Sequence, residues 1–376
     1  MKRIYLDHAA TTPLLPEVRE AMLPWLESGY GNPSSLHEDG RKAKDAIDQA
    51  RETISDALGC LFAEVLFTSS GTEAANLAIL GAALNSTDTK RKRILLGAAE
   101  HHCVLHTQPM LEKLGFQVQL IPVDSESKLD LEAAESMLAD DVLLVSAMHA
   151  NNETGVIQPV EDVARLCRKQ GALFHCDAVQ TFLNLNLKPI DADLLTLSAH
   201  KVNGPKGVGS IYIRAGIKLQ PLALGGGQER EMRAGTENVA GIAGFGAAVA
   251  KHIADPAILK SKEAARNAFL TNLKNHTQTI QKPQTLTGHA HLRFPGIDAE
   301  TMLIKLDRMG ISASSGAACS SGSLEASHVM LACGYSEREA KEGLRFTFGW
   351  PNTVEEAIEA AQRVNLCVSE IRSTRN

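Results

Sequence analysis

A lysine, an aspartate, a strand-to-helix turn and one cysteine are the residues of this chain best suited to shared chemistry. Lys201 follows the apolar run 194–197 and precedes the Gly/Pro loop 202–209. An amine at the mouth of a core loses its proton more readily than one in water, and a neutral amine attacks carbonyl carbon. A lone lysine is ordinarily a solvated cation, so its neighbours matter. Ser198 and His200 add hydroxyl and ring donors, and the glycines let backbone approach a ligand. Asp177 closes another apolar run, 172–176; alone it would read as a turn or cap residue. Ser70-Gly71-Thr72 follows the run 65–68 and opens a helical pattern. By itself it is a good N-cap, and its free N–H groups also make an anion cradle. Cys319 lies in 312–322, where no bulky side chain occurs. Such a loop has nothing to bury a thiol with, so an exposed nucleophile that needs activation is expected. The other six cysteines lie in apolar surroundings and read as structural. His101, His102, Cys103 and His106 are close in sequence, but adjacent side chains diverge, so no metal site is expected.

These groups can meet only if several strands end in one place. Apolar runs at 65–68, 94–97, 118–123, 142–148, 172–176, 194–197 and 210–213 read as buried strands. Helical patterns at 72–84, 102–114, 130–138 and 160–169 separate most of them. The alternation predicts an α/β fold with a mostly parallel seven-stranded sheet and helices on both faces. Ligands then bind where strand C-termini open into loops. Upstream, helices are expected over 16–28 and 35–58, the second ending at Gly59. A small-residue helix follows at 239–250, and the sheet pattern stops near 253–256. Beyond it, helices at 257–275, 298–309 and 353–369 with short strands at 292–294 and 344–348 predict a smaller α+β unit. The expected division is a large domain at 15–255 and a small one from 1–14 with 256–376.

Composition narrows the function. The 376 residues, 44% hydrophobic and 22% charged, suit a soluble globular protein with ample core. A net charge of −6 gives no reason to expect nucleic acid or an anionic membrane as partner. No apolar run is long enough to cross a bilayer, and seven scattered cysteines without a CxxC pair fit a reducing compartment. A cytoplasmic protein is the expectation.

Ten stretches, in one order along nearly the whole chain, resemble the cysteine desulfurases of the NifS/IscS group, which have the fold-type-I architecture of pyridoxal phosphate enzymes. They are YLDHAATTP (5–13), GNPSSLH (31–37), FTSSGTEAANLAI (67–79), EHHCVL (100–105), HANNETGVIQPV (149–160), HCDAVQ (175–180), LSAHKVNGPKGVG (197–209), GGGQEREMRAGTENVAG (225–241), SSGAACSSGSLEASHVM (314–330) and LRFTFG (344–349). The resemblance implies that Lys201 holds pyridoxal 5′-phosphate and that Asp177 pairs with its ring nitrogen. Gln180 and Asn152 lie near the ring hydroxyl, and His101 stacks on the ring as an acid or base. Gly71, Thr72, Ser198 and His200 bind the phosphate, while Thr236 reaches that of a neighbouring subunit, implying a homodimer. Arg345 and Asn32 hold the carboxylate of L-cysteine, and Cys319 takes its sulfur as a persulfide. A sulfur-acceptor protein, an iron–sulfur scaffold or a tRNA-thiolation protein, then receives it. Selenocysteine lyase is the nearest rival; a plain aminotransferase or a non-catalytic scaffold fits the cysteine loop less well.

Overall fold

The structure is a computed structural model that describes residues 2–188, 190–280, 284–316 and 325–374. Cys319 lies outside the described residues. After β1 (Ile4–Tyr5), the sheet strands come in order: β2 (Val65–Thr68), β3 (Arg93–Gly97), β4 (Gln117–Ile121), β5 (Val142–Ser146), β6 (Leu173–Asp177), β7 (Leu194–Ser198) and β8 (Gly209–Ile213). They form one seven-stranded sheet in the order β2-β8-β7-β6-β5-β3-β4. All pairings are parallel except those of β8, which runs against both β2 and β7. The mostly parallel α/β sheet expected above is therefore present, with one strand reversed.

Strand alternation builds a core on each face. On one side Leu95, Val145, Phe174, Leu195 and Leu197 pack with Ile47 and Ile54 of the helix Glu38–Leu58. On the other, Ile94, Leu96, Leu144 and Leu194 meet Ala74, Leu77 and Ala78 of the helix Gly71–Asn85. Neighbouring residues of one strand thus feed opposite cores, as a period of two requires. The helix Glu38–Leu58 starts three residues later than the periodicity suggests. The Ser35 N–H closes a turn on the Asn32 carbonyl, and the His37 ring accepts the Gly40 N–H as N-cap. Its other end is as expected, Gly59 taking a left-handed φ of 69°. The helix anticipated over 102–114 is two, His102–Leu105 and Gln108–Lys113, with Pro109 in the first turn of the second.

The last third adds β9 (Thr277–Gln278), β10 (His289–Arg293), β11 (Ile311–Ser312) and β12 (Gly343–Thr347). β10 pairs antiparallel with β12 and β9, and β1 pairs parallel with β11. A third core joins the N-terminal Ile4 and Leu6 to Phe269, Leu292, Phe294, Leu344 and Phe346. Among the described residues no single helix is long and apolar enough to cross a membrane.

Several histidines are buried as neutral rings. His175 is fully enclosed, Nδ1 against Ser146 Oγ at 2.8 Å and Nε2 against Thr196 Oγ1 at 2.9 Å. Burial drives its pKa from 6.5 to about 3, and burial does the same to His289 and His291. The unfolded chain therefore binds protons that the fold refuses, between pH 6.5 and 3. Stability is fully present above pH 6.5 and falls below it, each ring costing up to about 1.4 kcal/mol per pH unit. Urea midpoints should accordingly drop steadily from pH 6.5 to pH 5; an unchanged midpoint would contradict the burial of these rings.

Candidate active site

A cavity of about 780 Å³ opens at the C-terminal ends of β2, β3, β5, β6 and β7. Its wall contains Lys201, Asp177, Gln180, Asn152, Gly71, Thr72, Ser198, His200, His101 and Arg345. Ten of the thirteen residues singled out from sequence thus converge on one space. Asn32 and Thr236 are exposed and lie outside this wall. The Asn32 side chain instead accepts the Ser34 N–H at 2.9 Å. The wall does reach Gly316, three positions before Cys319.

Lys201 sits in the turn that joins β7 to the reversed β8. Gly209, which opens β8, lies where any Cβ would come within 2.4 Å of the Ser70 backbone. That close approach draws the Lys201 loop and the start of the helix Gly71–Asn85 together. The Lys201 Nζ donates to the Ala10 carbonyl at 2.9 Å and to that of Ala9. Burial, then the nearby Arg345 cation, lower its pKa to about 8, with Asp7 and Asp177 opposing. At neutral pH a usable fraction of this amine is unprotonated.

Asp177 ends β6 and is buried, its Oδ1 accepting the Val179 N–H at 2.9 Å. Burial pushes its pKa up to about 6, against the pull of that bond and of Lys201. Any cation in the cavity would therefore find a carboxylate ready to ionise. At the other side Ser70 caps the helix, its Oγ accepting the Glu73 N–H at 3.1 Å, so that Gly71 and Thr72 present the helix start to the cavity. The His101 Nδ1 accepts the Cys103 N–H at 3.1 Å, which places the proton of the neutral ring on Nε2. Burial and the Lys201 charge hold its pKa down to about 4.

Arg345, on β12, is nearly enclosed and donates to the Asn152 carbonyl and to Asp7 Oδ1, each at 2.8 Å. Two of its five N–H groups are so used. Glu153 touches both described ends of the segment that carries Cys319. The Ser327 hydroxyl donates to its Oε2, and a Cβ on Gly316 would come within 2.5 Å of the same oxygen.

Sequence reasoning gave no role to four parts of this site. The Ala9 and Ala10 carbonyls come from an arm some 190 positions from Lys201, and backbone acceptors carry no side-chain signal. Asp7 anchors Arg345. Glu100 is buried, accepts the Met148 N–H and has its pKa pushed to about 8 by burial and by Asp177. Cys103, expected to be purely structural, lines the cavity, though burial raises its thiol far from ionisation.

Comparison with known proteins agrees with this geometry. The aminotransferase class-V family profile matches residues 4–359. Cysteine desulfurase IscS of Dictyoglomus turgidum is 43% identical over 365 residues, covering 95% of this chain and 92% of the relative. The chain belongs to the NifS/IscS group of the class-V aminotransferase family. A solved NifS-like protein superposes on this NifS/IscS chain with a TM-score of 0.91 at 36% identity, covering 98% of this chain and all of the other. A structure of SspA in complex with cysteine matches with a TM-score of 0.82 at 32% identity over 93% of this chain and 99% of the other.

Proposed function

We propose that this NifS/IscS-group enzyme is a cysteine desulfurase, converting L-cysteine to L-alanine and leaving the sulfur as a persulfide on Cys319. The observation that carries the reading is the convergence of Lys201, Asp177, His101 and the Gly71 helix start on one cavity that also holds Arg345. These residues fit pyridoxal 5′-phosphate. Lys201 offers an amine of lowered pKa to its aldehyde, and Asp177 a carboxylate to its ring nitrogen. Gly71, Thr72, Ser198 and His200 supply N–H, hydroxyl and ring donors for its phosphate, at the positive end of a 15-residue helix. Bound there, the cofactor would supply an electron sink for the bonds at the substrate Cα.

The protein residues divide the remaining work. Arg345 holds the substrate carboxylate through its free N–H groups. Lys201, neutral for part of the time at pH 7, takes the Cα proton. His101 carries its proton on Nε2, within the wall, where it can be handed to a leaving or incoming group. The Cys319 thiolate attacks the substrate sulfur: an S–S bond forms, the C–S bond breaks, and the carbon fragment gains protons to become alanine. Cysteine plus enzyme thiol gives alanine plus enzyme persulfide, with no outside oxidant.

Several finer points belong to the same reading. The exposed Thr236 completes the phosphate site of a second copy, making the enzyme a homodimer. Gln180, Asn152 and Asn32 keep the cofactor and substrate roles given above. Residues 15–255 form the cofactor-binding unit and 1–14 with 256–376 the smaller one, a division supported by the separate core around Phe269 and Phe346. The protein acts in the cytoplasm, passing sulfur to an iron–sulfur scaffold or a tRNA-thiolation protein. Incubation with L-cysteine should release alanine and add one sulfur to the peptide carrying Cys319, read by mass spectrometry. Alanine released without that added mass would sink the proposal. Selenocysteine offered in place of cysteine separates a strict lyase, which would ignore cysteine.

Arg345→Lys keeps the charge and loses the fork. Hydrogen bonds to charged groups are worth about 1.5–3 kcal/mol, so KM for cysteine should rise about 10- to 100-fold with the bound-cofactor absorbance unchanged. An unchanged KM would remove Arg345 from the carboxylate site.

A further inference from the structure

A second, smaller chamber also borders Lys201. Its volume is about 30 Å³, room for one or two water-sized groups. Lys201, Lys262, His8, His289 and Asn184 are in its wall, and among the described residues that wall contains no carboxylate. Lys201 therefore belongs to both cavities.

The charge balance of this chamber is one-sided. The Lys262 Nζ donates to Asn184 Oδ1 at 3.0 Å, a neutral partner for one of its three N–H groups. Burial lowers its pKa to about 8, and among the described residues no acidic group pulls it back. The surrounding rings register the same positive field. After burial, Lys262 is the next influence lowering His8 and His252, each to about 4. Arg345, Lys262, Arg266 and Lys201 all lower His289, which is 8% exposed and whose Nε2 makes no hydrogen bond. An ammonium withdrawn from water without counter-charge is costly. A small anion in contact with it would restore the balance, with neutral imidazole and amide N–H groups as further donors.

We propose that this chamber is a binding site for one small monovalent inorganic anion of halide size, held by Lys262 as its counter-ion. The small volume suits a compact ion rather than a ligand with a carbon chain. An anion there favours the protonated amine of Lys201, opposing the effect of burial and of Arg345. Anion occupancy thus sets how readily Lys201 gives up its proton.

Two measurements test the site. Crystals of the cofactor-loaded enzyme grown with sodium bromide should show one anomalous peak in contact with the Lys262 Nζ, a result independent of the reaction assigned to the enzyme. In solution, bromide in place of gluconate at equal ionic strength should raise the pH midpoint of the bound-cofactor absorbance change by about half to one unit, the scale of a charge one cavity away at an effective dielectric near 20. Lys262→Met should abolish both effects. Wild-type crystals without the peak, or an equal bromide shift in Lys262→Met, would overturn the proposal. The wild-type crystal decides the matter even if the variant fails to fold.

Discussion

Lys201→Ala is expected to lower alanine release from L-cysteine by about 10³-fold or more, the upper range for loss of a positioned acid–base group. The size of the effect follows from the lack of a substitute. Among the cavity's cationic residues, Arg345 is tied to Asp7 and Asn152 and offers a guanidinium in place of an amine. His101 is held neutral and donates through Nε2, so it is not placed to replace an amine. The Ala9 and Ala10 carbonyls aim the Lys201 amine, and those contacts vanish with it. Phosphate-site residues remain, so the variant should still bind cofactor, with an absorbance maximum that no longer matches an amine-linked form. The assay is alanine release under saturating cysteine, with absorbance read in parallel. Activity within tenfold of wild type would end the assignment of Lys201.

Cys319→Ala should have an effect of similar size on sulfur transfer while leaving cofactor absorbance and cysteine binding intact. The other thiols are poor replacements. Burial pushes Cys60 and Cys167 to about 12 and Cys333 and Cys367 to about 11. Cys103 and Cys176 are raised further still. A thiol at pKa 11 is about 10⁻⁴ ionised at pH 7, against a few per cent for a free one. Mass spectrometry after incubation with cysteine should therefore find no added sulfur in the variant. Sulfur appearing on Cys103, the one cysteine in the described cavity wall, would show that the nucleophile has been misassigned.

Much of this site was legible because its chemistry sits at strand ends, and strand ends show in the sequence as apolar runs giving way to glycine, serine or aspartate. Asp177, Lys201 and Gly71 all fall within a residue or a few of a run's last position. The reversal of β8 was readable in principle. Only ten residues separate it from β7, too few for the helical crossover a parallel partner needs. The division of the helix near His106 was likewise signalled by Pro109. The Ala9 and Ala10 acceptors and the Asp7–Arg345 pair were not legible, because they depend on an N-terminal arm folding back against Lys201 and β12. Sequence proximity carries nothing about that contact. Glu100 and Cys103 flank His101 at one and two positions, and only the chain's direction beyond β3 decides which of them turns inward.

Glu153 ties two distant points of the chain together at one oxygen. Gly316 is seated against its carboxylate at the edge of the cavity, and the Ser327 hydroxyl donates to the same oxygen. Any side chain at position 316 would therefore displace that carboxylate, and with it the bond from Ser327.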